Sequence, residues 1–169
     1  LLRVIDNPRQ EIPLAGVMRS FFAAFTTEEL AVIKGRKRRT QLYDCVIGYA
    51  GREDDTAARC RNLLDFIEHY RKISRVATIN ELISDIIYNS GYYEYAGTMT
   101  GGKLRKANLE MLVQKAREFE KTSYSGLFNF LRYIEKLRKY EVDYGEAQSE
   151  SEEDDVVRIM SIHKSKGLE

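Results

Sequence analysis

The sequence predicts an all-α protein, a helical bundle with a short orphan β-strand at its C-terminal end. Three observations predict it. Apolar residues recur at helical spacing through every long segment as far as Leu137. Helix-starting signatures precede two of these segments, where Thr26 stands three residues before Glu29 and Thr78 three before Glu81. The only strand-like pattern is Val156-Val157-Arg158-Ile159-Met160, a short β-branched run between an acidic stretch and Ser161.

The elements follow in order. Residues 1–5 read as the tail of a helix, broken by Asp6-Asn7-Pro8. Pro13 suits the first turn of the next helix, whose apolar face is Leu14, Val17, Met18, Phe21 and Phe22. Thr26 caps a short helix through Ile33, with Glu29 reaching back. A basic cluster around Gly35 follows as an exposed loop. Leu42, Cys45, Val46 and Tyr49 make the next stripe, stopped at Gly51. Asp54 or Asp55 caps a long helix with Cys60, Leu63, Leu64, Ile67, Tyr70 and Ile73 on one face. Thr78 and Glu81 open a helix carrying Leu82, Ile83, Ile86 and Ile87, which Gly91 ends. Tyr92, Tyr93 and Tyr95 with Gly97, Gly101 and Gly102 read as a small loop. Two strong helices close the bundle, one on Leu104, Leu109, Leu112, Val113, Ala116 and Phe119, the other on Leu127, Phe130, Leu131, Ile134 and Leu137.

Residues 143–155 turn acidic and Ser/Glu-rich, the composition of a solvated linker. The strand after it has no partner pattern in the chain, and a lone strand is unstable. It therefore belongs to a sheet completed by residues outside this sequence, or pairs with a second copy.

Length and composition narrow the class. The 169 residues suit one domain, and 43% hydrophobic with 31% charged residues is a globular balance. No apolar run approaches the roughly 20 residues that span a bilayer, and the first residues carry no export pattern. A membrane partner is not expected, and a cytoplasmic location is. Cys45 and Cys60, each in an apolar helical pattern, read as buried inert thiols in a reducing compartment. His69 and His163 have no zinc-site spacing with them, so no metal site is expected. Leu1 in place of a starting methionine, and a stop at Glu169 directly after a glycine turn, read as cuts in a longer protein. Leu168-Glu169 reads either as native chain or as a cloning scar.

A net charge of +1, from 27 basic and 26 acidic residues, decides nothing about nucleic acid. Distribution is more informative. Lys34, Arg36, Lys37, Arg38 and Arg39 cluster in one loop, and Glu146, Glu150, Glu152, Glu153, Asp154 and Asp155 cluster far from it, so the molecule is polarised. The basic loop reads either as a grip on duplex phosphates or as a solvated turn. Lys103, Arg105 and Lys106, near a helix start, read either as a second phosphate patch or as an ordinary polar face. The clustered tyrosines either stack on bases or pack their loop against the bundle.

The most specific chemistry lies at the end. The strand delivers Ser161, His163, Lys164, Lys166 and Gly167 into one loop. Hydroxyl and backbone N–H groups bond phosphate oxygens, lysines neutralise them, and glycine lets backbone approach closely, so the set suits a polyanion. A polar loop after a strand is the plainer reading.

Val157-Arg158-Ile159-Met160-Ser161-Ile162-His163-Lys164-Ser165-Lys166-Gly167-Leu168-Glu169 resembles motif V of the UvrD/RecB branch of superfamily 1 DNA helicases, usually Thr-x-His-x-x-Lys-Gly-Leu-Glu. Ser161 replaces the usual threonine and keeps its hydroxyl. The resemblance implies that Ser161 and His163 contact the DNA backbone, that Lys166 and Gly167 shape the loop, and that Glu169 approaches ATP. Residues 2–8 and 10–20 resemble the stretch before the helical 2B insertion of that branch. Residues 101–109, 126–131 and 143–147 resemble its AddA group, helicase–nuclease subunits of bacterial double-strand-break repair. On that resemblance residues 1–8 end a 2A-type segment, 9–142 form the helical 2B-type domain, 143–155 are the acidic linker, and 156–169 return to the 2A segment. The chain has neither a Gly-x-x-x-x-Gly-Lys-Ser/Thr phosphate loop nor a recognisable nuclease carboxylate cluster. ATP and Mg²⁺ are therefore expected elsewhere in the parent protein, and no ATPase or nuclease activity is expected of this piece alone. Implied partners are DNA, as duplex or junction, and a second, AddB-like subunit. The alternative is a helical module whose business is that partner subunit rather than DNA.

Overall fold

The computed structural model describes residues 1–36 and 39–139. Nine helices follow one another along these residues: α1 (Leu2–Asp6), α2 (Glu11–Arg19), α3 (Thr27–Lys34), α4 (Leu42–Ala50), α5 (Asp55–Ile73), α6 (Ile79–Asn89), α7 (Tyr92–Thr98), α8 (Gly102–Glu120) and α9 (Leu127–Lys139). No strand occurs among the described residues, and the all-α expectation holds for them. The expected strand at 156–160 and the linker at 143–155 lie outside the described residues, as do Lys37 and Arg38.

Local chemistry sets the helix starts. The Glu29 N–H donates to the Thr26 hydroxyl at 3.1 Å while the Thr26 N–H donates to the Glu29 carboxylate at 2.7 Å. Thr78 and Glu81 repeat the exchange at 3.2 and 2.9 Å. Asp54 caps α5, accepting from the Ala57 N–H at 2.7 Å and from the Tyr49 hydroxyl at 3.1 Å. Pro13 falls within the first turn of α2, where a missing N–H removes no helix bond.

One expectation is corrected. Tyr92, Tyr93 and Tyr95 are not in a loop but on α7, seven residues long. Gly91, at φ 77°, takes the left-handed conformation that ends α6 and starts α7 with almost no straight chain between them. Ring packing then holds so short a helix in place. Tyr92 stacks on Phe22 at 5.2 Å between centroids and Tyr95 on Phe21 at 4.5 Å. The chain next turns so tightly that a Cβ on Gly102 would lie 2.0 Å from the Gly97 carbonyl oxygen, so α7 and α8 meet backbone to backbone.

The bundle has two apolar centres. One gathers Leu14, Val17 and Met18 of α2, Ile33 of α3, Leu42, Cys45 and Val46 of α4, and Cys60, Leu63 and Ile67 of α5. The other gathers Leu82, Ile83, Ile86 and Ile87 of α6, Val113, Ala116 and Phe119 of α8, and Leu127 and Phe130 of α9. Helix α1 joins them, since Val4 sits in the first and its neighbour Ile5 in the second. Helix α5 does the same along its length, with Ile67 in one and Tyr70 in the other. On α8 the expected stripe is fully buried only from Val113 onward, while Leu109 and Leu112 are partly covered.

Ile5→Ala should lower unfolding free energy by about 2–5 kcal/mol, as for other buried isoleucines, measured by urea denaturation. Ile12→Ala, at a side chain 87% exposed, should shift it by less than about 0.5 kcal/mol. Gly102→Ala should cost roughly 1–3 kcal/mol, because backbone rather than a flexible side chain must move.

Candidate nucleic-acid interface

The basic loop is built on a pinned base. Helix α3 ends at Lys34, and Gly35, at φ 53°, turns the chain. The Lys34 ammonium donates to the Glu11 carboxylate and to the Thr40 carbonyl, both at 2.7 Å. The same Glu11 oxygen accepts the Leu42 N–H at 2.9 Å, so one carboxylate ties the start of α2 to the end of α3 and the start of α4. Arg9 adds a second tie, donating to Gln41 and Asp44 at 2.9 Å each. The Lys34 hydrogen bond, and after it the Leu42 N–H, hold the Glu11 carboxyl below the ordinary glutamate range.

Lys34 is therefore a strut. Arg36 and Arg39 differ from it: both are exposed, and neither makes an ion pair or hydrogen bond to another described residue. Lys37 and Arg38 lie outside the described residues.

The cations near the start of α8 are more committed than their spacing suggests. Lys106 pairs with Glu94 at 3.0 Å and sits 4.2 Å from the centre of the Tyr93 ring. The Tyr93 hydroxyl in turn donates to Glu110, which pushes the phenol up to about 12. The Arg105 Nε donates to the Thr100 carbonyl at 3.1 Å. Lys103 is exposed and forms no ion pair among the described residues. The rings of Tyr92 and Tyr95 are engaged with Phe22 and Phe21, which favours the packing reading over base stacking for them.

Ser161, His163, Lys164, Lys166, Gly167 and Glu169 lie outside the described residues, so no geometry brings them to either basic patch. Cys45 and Cys60 are both buried, and burial first, then the nearby Asp54 charge, pushes the Cys60 thiol up to about 11. Among the described residues, no cluster of His, Cys, Asp or Glu is arranged to hold a metal ion, and no helix is long and apolar enough to cross a membrane.

A further cationic surface went unremarked in the sequence. Between the turn after α8 and the side of α9 lies a recess of about 370 Å³, lined in part by Tyr124, Asn129, Arg132, Tyr133 and Lys136. The signal was available in the i, i+4, i+8 spacing of Phe128, Arg132 and Lys136, opposite the apolar stripe of Leu127, Phe130 and Leu131. A larger recess, about 660 Å³ and bordered by Leu1, Leu2, Ile83, Leu109 and Leu112, is apolar and has no chemistry for an anion.

Comparison with known proteins places these features in a family context. The profile of the UvrD-like helicase C-terminal domain matches residues 1–169. The chain is 44% identical over 171 residues to the AddA-type ATP-dependent helicase/nuclease protein of Oceanobacillus iheyensis, covering 99% of this chain and 14% of that protein. It is 43% identical over 172 residues to the protein of that name from Bacillus velezensis, covering 100% of this chain and 14% of the relative. The one from Pelotomaculum thermopropionicum is 47% identical over 171 residues, covering 100% and 13%. The chain thus spans about 14% of the length of the first of these relatives.

The Glu11 tie predicts an acid-sensitive loop. A carboxyl held down in the folded state stabilises it above the ordinary glutamate value of 4.5, and the contribution is lost as pH falls through the lowered folded value. Stability measured between about pH 3 and pH 6 should therefore fall less steeply on acidification in Glu11→Gln than in the parent chain. An unchanged slope would show that the tie contributes nothing.

Proposed function

The chain belongs to the UvrD-like helicase C-terminal domain family, and from that premise we propose that it is the DNA-guiding helical part of an ATP-dependent helicase/nuclease. Identity at the level of 44% across almost the whole chain to an AddA-type relative supports this assignment. The observation that carries the DNA contact is the division of charge in the basic loop. Lys34 is spent on Glu11 and Thr40, and that anchoring leaves Arg36 and Arg39 exposed without carboxylate partners among the described residues. Guanidinium groups held at a pinned turn suit duplex phosphates, which need positioned positive charge and no base-specific geometry.

The division of the chain goes with this reading. Residues 1–8 end a 2A-type segment, 9–142 form the 2B-type helical domain, 143–155 serve as an acidic spacer, and 156–169 re-enter the 2A segment. In the parent protein Ser161, His163, Lys164, Lys166 and Gly167 contact the DNA strand, and Glu169 stands toward the nucleotide. That would couple strand contact to the ATP cycle. The described residues bring no metal-holding cluster together, and the sequence has no phosphate loop, so ATP and Mg²⁺ belong to other parts of the parent and no step of hydrolysis falls on these helices. The proposed setting is cytoplasmic repair and recombination, with nuclease activity in other domains and an AddB-like protein as partner.

Replacing Arg36 and Arg39 together by glutamate should weaken duplex binding and reduce the slope of log affinity against log salt by about 2, near one counterion per phosphate contact. Fluorescence anisotropy across a salt series measures both. Unchanged affinity and slope in the double variant, with altered assembly onto the AddB-like partner, would replace this reading with the partner-binding one.

A further inference from the structure

The recess beside α9 has a composition unlike the rest of the surface. Tyr124 presents a ring that is 67% exposed, yet its backbone is held, with its N–H donating to the Thr122 hydroxyl at 3.3 Å and that hydroxyl donating to the Phe119 carbonyl at 2.7 Å. The Asn129 side chain fastens the same turn from α9, donating to the Ser125 carbonyl at 2.8 Å. Tyr133 borders the recess as part of an aromatic group, its ring 5.5 Å from Phe119 and 6.4 Å from Phe130. Arg132 and Lys136 stand one helical turn apart on this border, and neither forms an ion pair among the described residues. The acidic residue between them in sequence, Glu135, is tied to Arg3 at 2.9 Å. No carboxylate among the described residues lines the recess.

We infer that this recess holds an unpaired nucleotide of a DNA single strand, its base against the Tyr124 ring and its phosphate between Arg132 and Lys136. A volume of about 370 Å³ is within the range of small-ligand sites and suits one nucleotide. An exposed aromatic face next to paired cations is the arrangement that binds single strands, because every unstacked base offers a π-face and every linkage a charge. A duplex shows this ring only base edges and so cannot use it. The inference rests on the reading that DNA is the partner, but it employs a surface separate from the Arg36–Arg39 loop, so the two can fail separately.

The test is anisotropy of a labelled oligo-dT and of a labelled hairpin duplex against the full chain. Variants are Tyr124→Ala, Tyr124→Phe, the pair Arg132→Ala with Lys136→Ala, and the Arg36/Arg39 glutamate pair. Tyr124→Ala should weaken oligo-dT roughly ten-fold, and Tyr124→Phe, which keeps the ring, should retain binding. The Arg132/Lys136 pair should cut the oligo-dT salt slope by about 1. Neither the Tyr124 variants nor the Arg132/Lys136 pair should move duplex affinity. An oligo-dT affinity indifferent to Tyr124→Ala overturns the recess site, as does the absence of oligo-dT binding by the parent chain. Equal affinity for free dTMP would overturn the strand assignment in favour of a mononucleotide. Duplex binding that still responds to Arg36 and Arg39 would show that only the recess inference had failed.

Discussion

Two neighbouring side chains hold this bundle together. Val4 and Ile5 leave a helix of five residues in different directions and are buried in different apolar centres. A helix so short has almost no stability of its own, since nucleation costs more than a few hydrogen bonds return. It persists because both sides of it are packed, against α5 and α2 on one side and α9 on the other. Phe22 makes a parallel bridge, contacting both centres and stacking on Tyr92. The two groups of helices are thus joined by apolar contact, and no polar or charged side chain is buried anywhere in the described core.

A purely apolar interior sends every charge to the surface, where ion pairs decide what each one can still do. Glu11 occupies Lys34, Glu29 occupies Arg59, and Glu94 occupies Lys106. Exposed pairs of this kind contribute little to stability. Their consequence for function is larger, because a cation already facing a carboxylate has less to offer a phosphate. Arg36, Arg39, Arg132 and Lys136 remain outside this pairing among the described residues. Charged residues are abundant and nearly balanced in this chain, so local pairing, and not net charge, separates a binding surface from a solvated one.

Much of the fold was legible without coordinates. The stripes on α2, α4, α5 and α6 were read residue by residue, and both capping boxes formed where Thr-x-x-Glu stood. The misreading at residues 92–98 arose because tyrosines and glycines carry turn-like composition, while the helix there depends on Phe21 and Phe22, some seventy residues earlier in the chain. The site was less legible than the fold. Spacing placed Lys106 beside a helix start but could not show Glu94 and Tyr93 around it. The cationic side of α9 was overlooked because attention to its apolar stripe left the opposite positions as generic solvent-facing charge.

What the sequence determined alone was the set of helices, where most of them begin and end, and which face of each is apolar. Those properties depend on residues within three or four positions of one another, so their causes are written contiguously in the chain. Tertiary structure alone decided which cations are struts and which are free, how α7 is held, and that Tyr124, Arg132 and Lys136 share one recess. Those outcomes depend on partners brought together from distant parts of the chain, as Glu11 is to Lys34 across 23 positions. Coulombic and aromatic contacts of that range follow distance in space, which only the packed bundle specifies.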